Sequence, residues 1–120
     1  FNTWNDQNKD EWIGNWTEDV VMFDPVGGPD KTGILALEET WRNSFKDGHH
    51  WKIEPIFMQI CENQAALHVK NYGTVENEPI EIDSIEIYWI NKDGKIYQVQ
   101  TYFGPSEGRT LDPFFSKKEI

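Results

Sequence analysis

Apolar residues in the first half of the chain recur at a helical period. Tryptophans separated by runs of Asn and Asp predict two short helices within residues 1–18, the first ending near residue 8. Between Ile34 and Trp41, apolar positions follow the i, i+3, i+7 stripe of an amphipathic helix. The Asp47-Gly48 pair predicts the end of that helix.

The second half of the chain alternates apolar and polar residues, which is typical of strands with one buried face. Four long strands are predicted over residues 51–56, 65–72, 80–90 and 95–103. Asn91-Lys92-Asp93-Gly94 predicts a hairpin, because Asp-Gly tolerates positive φ. A turn over residues 104–108 follows, and then a tail with Phe114 and Phe115. Helices followed by antiparallel strands predict an α+β fold with helices covering one face of the sheet.

The chain of 120 residues has the length of a single domain, 1–120. Its net charge of -10 argues against nucleic acid and anionic membranes as partners, because both require clustered Lys and Arg. Aromatic residues make up 14% of the chain, which favours an aromatic-walled core or cavity. We therefore expect a small, hydrophobic and weakly charged partner.

Cys61 is the only cysteine, so the chain forms no intramolecular disulfide and fits a reducing compartment. Cytoplasmic localisation is the expectation, since no apolar run is long enough for a membrane span. The sequence begins at Phe1 instead of Met, and we expect residues upstream to be missing.

A carboxylate stands at the end of the apolar run Val20-Val21-Met22-Phe23. Asp24 comes directly before Pro25-Val26-Gly27-Gly28, where proline and glycine force the backbone to turn. A carboxylate at the end of a buried strand is held beside the core, as a catalytic base must be. The same residues also form an ordinary turn signal, in which the carboxylate only accepts a local backbone hydrogen bond.

These residues resemble the ketosteroid isomerase branch of the SnoaL-like, nuclear transport factor 2-like superfamily. The matching pattern is the acidic pair Glu18-Asp19, an apolar strand, Asp24-Pro25-Val26-Gly27, a spacer, Gly33 and a helix. The resemblance continues to the Asp93-Gly94 hairpin with a single inserted residue. It implies a cone of curved antiparallel sheet over three N-terminal helices, an apolar pocket, no cofactor and a homodimer.

The resemblance also implies roles for individual residues. Asp24 matches the base that moves a proton between two carbons of a steroid enone. The protonated acid that binds the developing oxyanion falls on Glu86 when the hairpin is aligned without a gap. Asp83 is the alternative, and the two cannot both point inward in a regular strand. The family tyrosine of the first helix would sit one residue before Phe1.

Further pocket residues follow from the same alignment and from strand alternation. The residues expected to contact the substrate are Trp16, Trp41, Val69, Asn71, Tyr88 and Phe103. Asn71 indicates either a more polar ligand than a steroid or a hydrogen-bonded core amide.

The three histidines give weaker signals. His49-His50 resembles a metal or acid-base pair, but adjacent side chains point apart and no third ligand lies at a recognisable spacing, so no metal site is expected. His68 alternates with Val69 and is expected to face away from the pocket.

Two functions remain open from the sequence. One is a cofactor-independent enzyme, similar to steroid delta-isomerases, that moves a proton next to a carbonyl with Asp24 and Glu86. The other is a non-catalytic small-molecule binding or dimerisation module of the same fold. An epoxide hydrolase or polyketide cyclase of this fold is a third possibility. The hydrolase is weakened because no Asp-Arg-Asp set is evident, since the only arginines, Arg42 and Arg109, lie outside the predicted strands.

Overall fold

A computed structural model describes residues 1–104, which contain three helices and one six-stranded sheet. The elements are α1 (Asn2–Asn5), α2 (Lys9–Gly14), β1 (Trp16–Phe23), β2 (Lys31–Thr32), α3 (Gly33–Phe45), β3 (His50–Cys61), β4 (Gln64–Val75), β5 (Glu78–Ile90) and β6 (Ile96–Tyr102). The predicted turn over residues 104–108, apart from Gly104, and the tail with Phe114 and Phe115 lie outside the described residues.

The α+β prediction is confirmed, with two changes near the start of the chain. The two helices at the start of the chain are short, with α1 covering only Asn2–Asn5 and α2 only Lys9–Gly14. Trp16 is the first residue of β1 instead of belonging to a helix. The reason is tertiary pairing, because Trp16 lies opposite Ile96 in the ladder between β1 and β6. The amphipathic helix is confirmed as α3, and Gly48 follows its end with a φ of +80°.

The sheet has the strand order β2-β1-β6-β5-β4-β3. All neighbouring pairs are antiparallel except β1 and β6, which are parallel. The antiparallel sheet implied by the resemblance is thus a mixed sheet. The parallel pair places the end of β1 beside the end of β6, because Phe23 lies opposite Gln100.

Tight hairpins join the long strands β3 to β6. The predicted Asn91–Gly94 hairpin is confirmed, and the Asn91 side chain accepts hydrogen bonds from the backbone N–H groups of Asp93 and Lys95, both at 2.9 Å. Two hairpins that the sequence did not reveal turn at residues 62–63 and at residues 76–77. Glu76 and Asn77 have φ values of +52° and +65°, the left-handed pair that a two-residue hairpin requires.

The core lies between the helices and the inner face of the sheet. Trp51 on β3 packs across Gly73 on β4, where a Cβ atom would lie 2.7 Å from the indole ring and 2.2 Å from the His50 carbonyl oxygen. Only a glycine allows the strands and the ring to approach so closely.

The single turn of α1 is fastened to β3 by one side chain. The Asn5 amide donates to the Ile53 carbonyl at 2.7 Å and accepts from the Ile53 N–H at 2.8 Å. No helix within residues 1–104 is long and apolar enough to cross a bilayer.

Candidate functional site

A cavity of about 330 Å³ lies between the helices and the inner face of the sheet. This volume is at the lower end of the range for small-molecule pockets. Much of the wall is aromatic, from Trp4, Trp12, Trp16 and Phe103. Asp24 and Glu86 also line it, so the two carboxyls that the resemblance paired face one space.

The Asp24 carboxylate is held in place by the end of β6. The Thr101 hydroxyl donates to Asp24 Oδ1 at 2.6 Å, and the Thr101 carbonyl accepts from the Val26 N–H at 2.9 Å. The turn and its carboxylate are thus joined to one residue that lies 77 positions further along the chain. On the β2 side, the Lys31 ammonium donates to the Asp24 carbonyl oxygen at 3.2 Å.

Glu86 is buried on the inner face of β5, where only 6% of its surface is exposed. The Tyr88 hydroxyl donates to Oε1 at 2.6 Å and the Ser84 hydroxyl donates to Oε2 at 3.1 Å. Asn71 on β4 donates to Ser84 Oγ at 3.1 Å, which directs the single hydroxyl hydrogen of Ser84 toward Glu86. The Asn71 amide is therefore a hydrogen-bonded part of this network, as one of the two interpretations of that residue required.

Burial raises the pKa of Glu86 from its ordinary value of 4.5 to about 7. The negative charge of Asp24 acts in the same direction, while the hydrogen bonds from Tyr88 and Ser84 oppose it. Burial and the Glu86 charge also raise the pKa of the Tyr88 phenol well above its usual value. Near neutral pH, Glu86 exists in both protonation states, as a group that binds and releases a proton must.

The alternative acid, Asp83, lies on the other face of the sheet. Its carboxylate is 59% exposed and accepts a 2.9 Å hydrogen bond from His68 Nε2. Lys70 Nζ is 3.9 Å from the same oxygen. Strand alternation thus turns Asp83 away from the cavity, and of the two candidates only Glu86 faces it. His68 faces outward as predicted.

Of the six residues expected to contact a substrate, four line the cavity: Trp16, Asn71, Tyr88 and Phe103. Trp41 and Val69 pack beneath the wall instead. Trp41 is enclosed by other rings, with its centroid 4.6 Å from that of Phe45, and Val69 is fully buried in a cluster with Ala65 and Leu67.

Sequence reasoning missed Lys31 and Thr101, which also line the cavity. Strand alternation places Thr101 on the same face of β6 as Val99, so the sequence did contain a signal that could have identified Thr101. Lys31 was not recognisable, because β2 has only two residues. Among residues 1–104, no three His, Cys, Asp or Glu side chains lie close enough together to hold a metal ion.

Comparison with known proteins shows the fold and the family. The chain matches the family model of the SnoaL-like domain over residues 1–99. The epoxide hydrolase/cyclase-like enzyme SalBIII, described in pyran ring formation in polyether salinomycin, has a TM-score of 0.78 at 22% identity and covers 86% of this chain and 83% of its own. No curated protein sequence matches the chain significantly.

Two solved structures from Mycobacterium tuberculosis are also similar. RV0760c in complex with estradiol-17beta-hemisuccinate has a TM-score of 0.73 at 15% identity, covering 84% of this chain and 85% of its own. An LEH-like epoxide hydrolase has a TM-score of 0.74 at 13% identity, covering 85% and 74%. With the family match over residues 1–99, these likenesses show that the chain belongs to the SnoaL-like family and has the cone fold of the nuclear transport factor 2-like superfamily.

Proposed function

We propose that this protein is a cofactor-independent enzyme, similar to steroid delta-isomerases, which moves a proton next to a carbonyl group. Its substrate is a small hydrophobic enone or a steroid-like molecule. The observation that carries the proposal is that Asp24 and Glu86 face one aromatic-walled cavity in different environments. Glu86 is buried, whereas Asp24 is only half-buried at a strand end.

The two carboxyl groups divide the acid and base roles. Asp24 removes a proton from the carbon next to the substrate carbonyl, and the electron pair of that C–H bond moves into the enolate. Glu86, in its protonated form, donates a hydrogen bond to the enolate oxygen while negative charge develops there. Asp24 then returns the proton to the far carbon of the conjugated system, so no proton is gained or lost.

Thr101 and Tyr88 position these two groups. The 2.6 Å hydrogen bond from Thr101 holds one oxygen of Asp24 and leaves the other for the substrate carbon. The hydroxyls of Tyr88 and Ser84 donate to different oxygens of the Glu86 carboxyl and so hold it in one orientation. Such fixed geometry supports proton transfer, because the reacting atoms must start close to their final positions.

The test is the 5-ene to 4-ene isomerisation of a 3-ketosteroid, followed by the ultraviolet absorbance of the conjugated enone. We expect Asp24→Asn to lower kcat by at least about 100-fold, because the amide does not accept the proton. Glu86→Gln should lower it by roughly tenfold or more, since an amide is a weaker donor than a carboxylic acid. Asp83→Asn, which removes a carboxylate from the outer face, is the matched control and should leave kcat unchanged.

The same assay separates the alternatives. Tight steroid binding without turnover would show that the protein is a non-catalytic binding module and not an enzyme of this class. Hydrolysis or ring closure of an epoxide substrate by the unmodified protein would favour the epoxide hydrolase or cyclase class, which SalBIII is described as resembling. Arg42, one of the two arginines of the chain, is exposed on α3 and does not line the cavity, so it does not supply the arginine of an Asp-Arg-Asp set.

We also propose a homodimer formed through the outer face of the sheet. One row of paired positions crosses four strands there, from Phe57 through His68 and Ile85 to Tyr102. Phe57, Ile85 and Tyr102 are 61%, 49% and 43% exposed, so this row presents apolar surface to solvent.

The exposed thiol of Cys61, at the edge of the sheet, supports a cytoplasmic location.

A further inference from the structure

Strand β3 has a free edge that carries no charge. In the strand order β2-β1-β6-β5-β4-β3, β3 has a neighbouring strand on one side only. No charged residue lies between Pro55 and Cys61. Within this stretch, Phe57, Met58 and Ile60 are 61%, 51% and 67% exposed. Native sheets normally protect an open edge with charges or cover it, because its unpaired backbone groups accept a further strand.

The register of the hairpin between β3 and β4 shows which backbone groups are open. Cys61 and Gln64 flank the two-residue turn, so they form a hydrogen-bonded pair of the ladder. Because bonded and non-bonded pairs alternate, the N–H and C=O groups of Met58 and Ile60 point away from β4. Within residues 1–104, no strand lies on that side of β3.

Helix α1 covers the first part of the same edge. The Asn5 side chain bonds to both the N–H and the C=O of Ile53, as the backbone of a neighbouring strand would. Further along, Pro55 has no N–H to donate, and the register shifts before Phe57. Met58 and Ile60 therefore belong to a separate stretch of edge beyond α1.

The chain continues from a point close to this stretch. Strand β6 ends at Tyr102, which lies in the same row of paired positions as Phe57 of β3. Three strand spacings separate them, a distance of about 14 Å. Residues 105–113 follow the described part of the chain, and their extended length is about 30 Å. The residues after 113 are thus within reach of the free edge.

The apolar residues of this continuation match the edge. Phe114 and Phe115 are adjacent, so on a strand their rings lie on opposite faces. The exposed residues of β3 are divided in the same way. Phe57 is on the outer face, whereas Met58 lines the cavity and Ile60 shares its face by strand alternation.

The charges of this continuation match the edge too. Lys117 and Lys118 follow the two phenylalanines, and Glu54 and Glu62 stand at the two ends of the uncharged stretch. Both glutamates are exposed, so a basic segment laid along the edge in either direction meets a carboxylate. Exposed ion pairs contribute little free energy, and we therefore assign most of the binding to the aromatic rings.

We infer that residues 114–118 add to the free edge of β3 as a further strand, paired with Met58 and Ile60. The added strand extends the inner row to which Met58 belongs and completes the cavity wall on the β3 side. The inference is independent of the proposed function, because it requires neither a ligand nor a proton transfer.

The test is amide hydrogen exchange of the full chain, measured by NMR at Met58 and Ile60. Both amides should exchange at least about tenfold faster in the double variant Phe114→Ser/Phe115→Ser, because the strand that protects them is lost. Ser106→Ala is the control, since it changes the same segment outside the paired residues, and it should leave both rates unchanged. Equal rates in all three proteins would overturn the inference.

A second measurement identifies which chain occupies the edge. Cys61 is the only cysteine and is exposed, so a nitroxide label attaches at the end of β3 alone. The label should broaden the amide resonances of residues 114–118 of its own chain, and this effect should be lost in the double variant. Broadening that appears only between labelled and unlabelled chains would show that a second copy is the occupant. That result, or no broadening at all, would overturn the inference.

Discussion

The Tyr88 hydroxyl donates a 2.6 Å hydrogen bond to Oε1 of Glu86, two residues earlier on the same face of β5. The bond opposes the burial of the carboxyl, because it stabilises the ionised form that burial disfavours. Burial is the larger effect, so the pKa of Glu86 is raised to about 7. The result is a buried carboxyl that changes its charge near neutral pH.

The raised pKa of Glu86 makes the free energy of unfolding depend on pH. Because the folded state binds this proton more tightly than the unfolded chain, the contribution is fully present below pH 4.5 and is lost as pH rises through about 7. Over this window, the unmodified protein should lose roughly 3 kcal/mol relative to Glu86→Gln. Urea denaturation of both proteins at several pH values measures the difference.

Only the difference between the two proteins isolates Glu86, since other groups titrate in both. A difference that stays constant from pH 4 to pH 8 would show that Glu86 ionises at its ordinary value of 4.5. Above about pH 7, the same ionisation should also lower kcat/KM of the proposed reaction, because the acid that binds the enolate oxygen is lost.

Removing either hydroxyl that donates to Glu86 should raise its pKa further. Tyr88→Phe should raise the pKa of Glu86 more than Ser84→Ala does. The hydrogen bond from Tyr88 lowers that pKa more than the bond from Ser84, and it is shorter, at 2.6 Å against 3.1 Å. Titration of the Glu86 carboxyl carbon by NMR measures both changes. Tyr102→Phe is the control, because its hydroxyl donates to Gln100 on the outer face. The opposite order of the two shifts would contradict the assigned contacts.

Substitution of Gly73 should destabilise the cavity wall. In Gly73→Ala the added Cβ would lie 2.2 Å from the His50 carbonyl oxygen and 2.7 Å from the Trp51 ring, and neither position relaxes easily. We expect a loss of about 1–3 kcal/mol, as for overpacking in a core. Gly14→Ala is the matched control, because no heavy atom lies within 4 Å of its added Cβ. Thermal unfolding should separate the two variants clearly, and equal midpoints would contradict the close approach.

The proposed dimer predicts that a charge in the outer row separates the subunits. Phe57→Asp and Ile85→Asp should each convert the dimer to a monomer, since a carboxylate would be buried against the partner without a counter-charge. Leu35→Asp is the control, because Leu35 is 81% exposed on α3 and away from the row. Sedimentation velocity at micromolar concentration measures the state. A monomer in the unmodified protein, or a dimer in all variants, would count against this interface.

The sequence predicted the fold class and one half of the site. The ungapped alignment through the Asn91–Gly94 hairpin favoured Glu86, with Asp83 kept as the alternative, and alternation along β5 required that only one of them face inward. Both signals are local, because a strand has a period of two and a tight hairpin fixes the register. The apolar run before Asp24 likewise predicted its strand-end position.

The remaining features depend on contacts between distant parts of the chain. Thr101 is 77 residues from Asp24, and the parallel pairing of β1 with β6 that joins them has no local signature. Trp41 has the spacing of an inward-facing helical residue, and only the packing of neighbouring rings shows that it lies beneath the wall. Helical spacing identified the apolar side of α3 but did not show which rings reach the cavity.

The attachment of α1 to β3 bears on how a ligand enters. A four-residue helix has almost no stability of its own, because the conformational entropy lost in nucleating a helix exceeds the free energy gained from one hydrogen-bonded turn. Its position, and that of Trp4 within it, therefore depends on packing and on the two hydrogen bonds between Asn5 and Ile53. The wall around Trp4 is thus held by side-chain contacts, whereas the opposite wall is a continuous ladder of strands. We expect a ligand to reach Glu86 more readily past α1 than through the sheet.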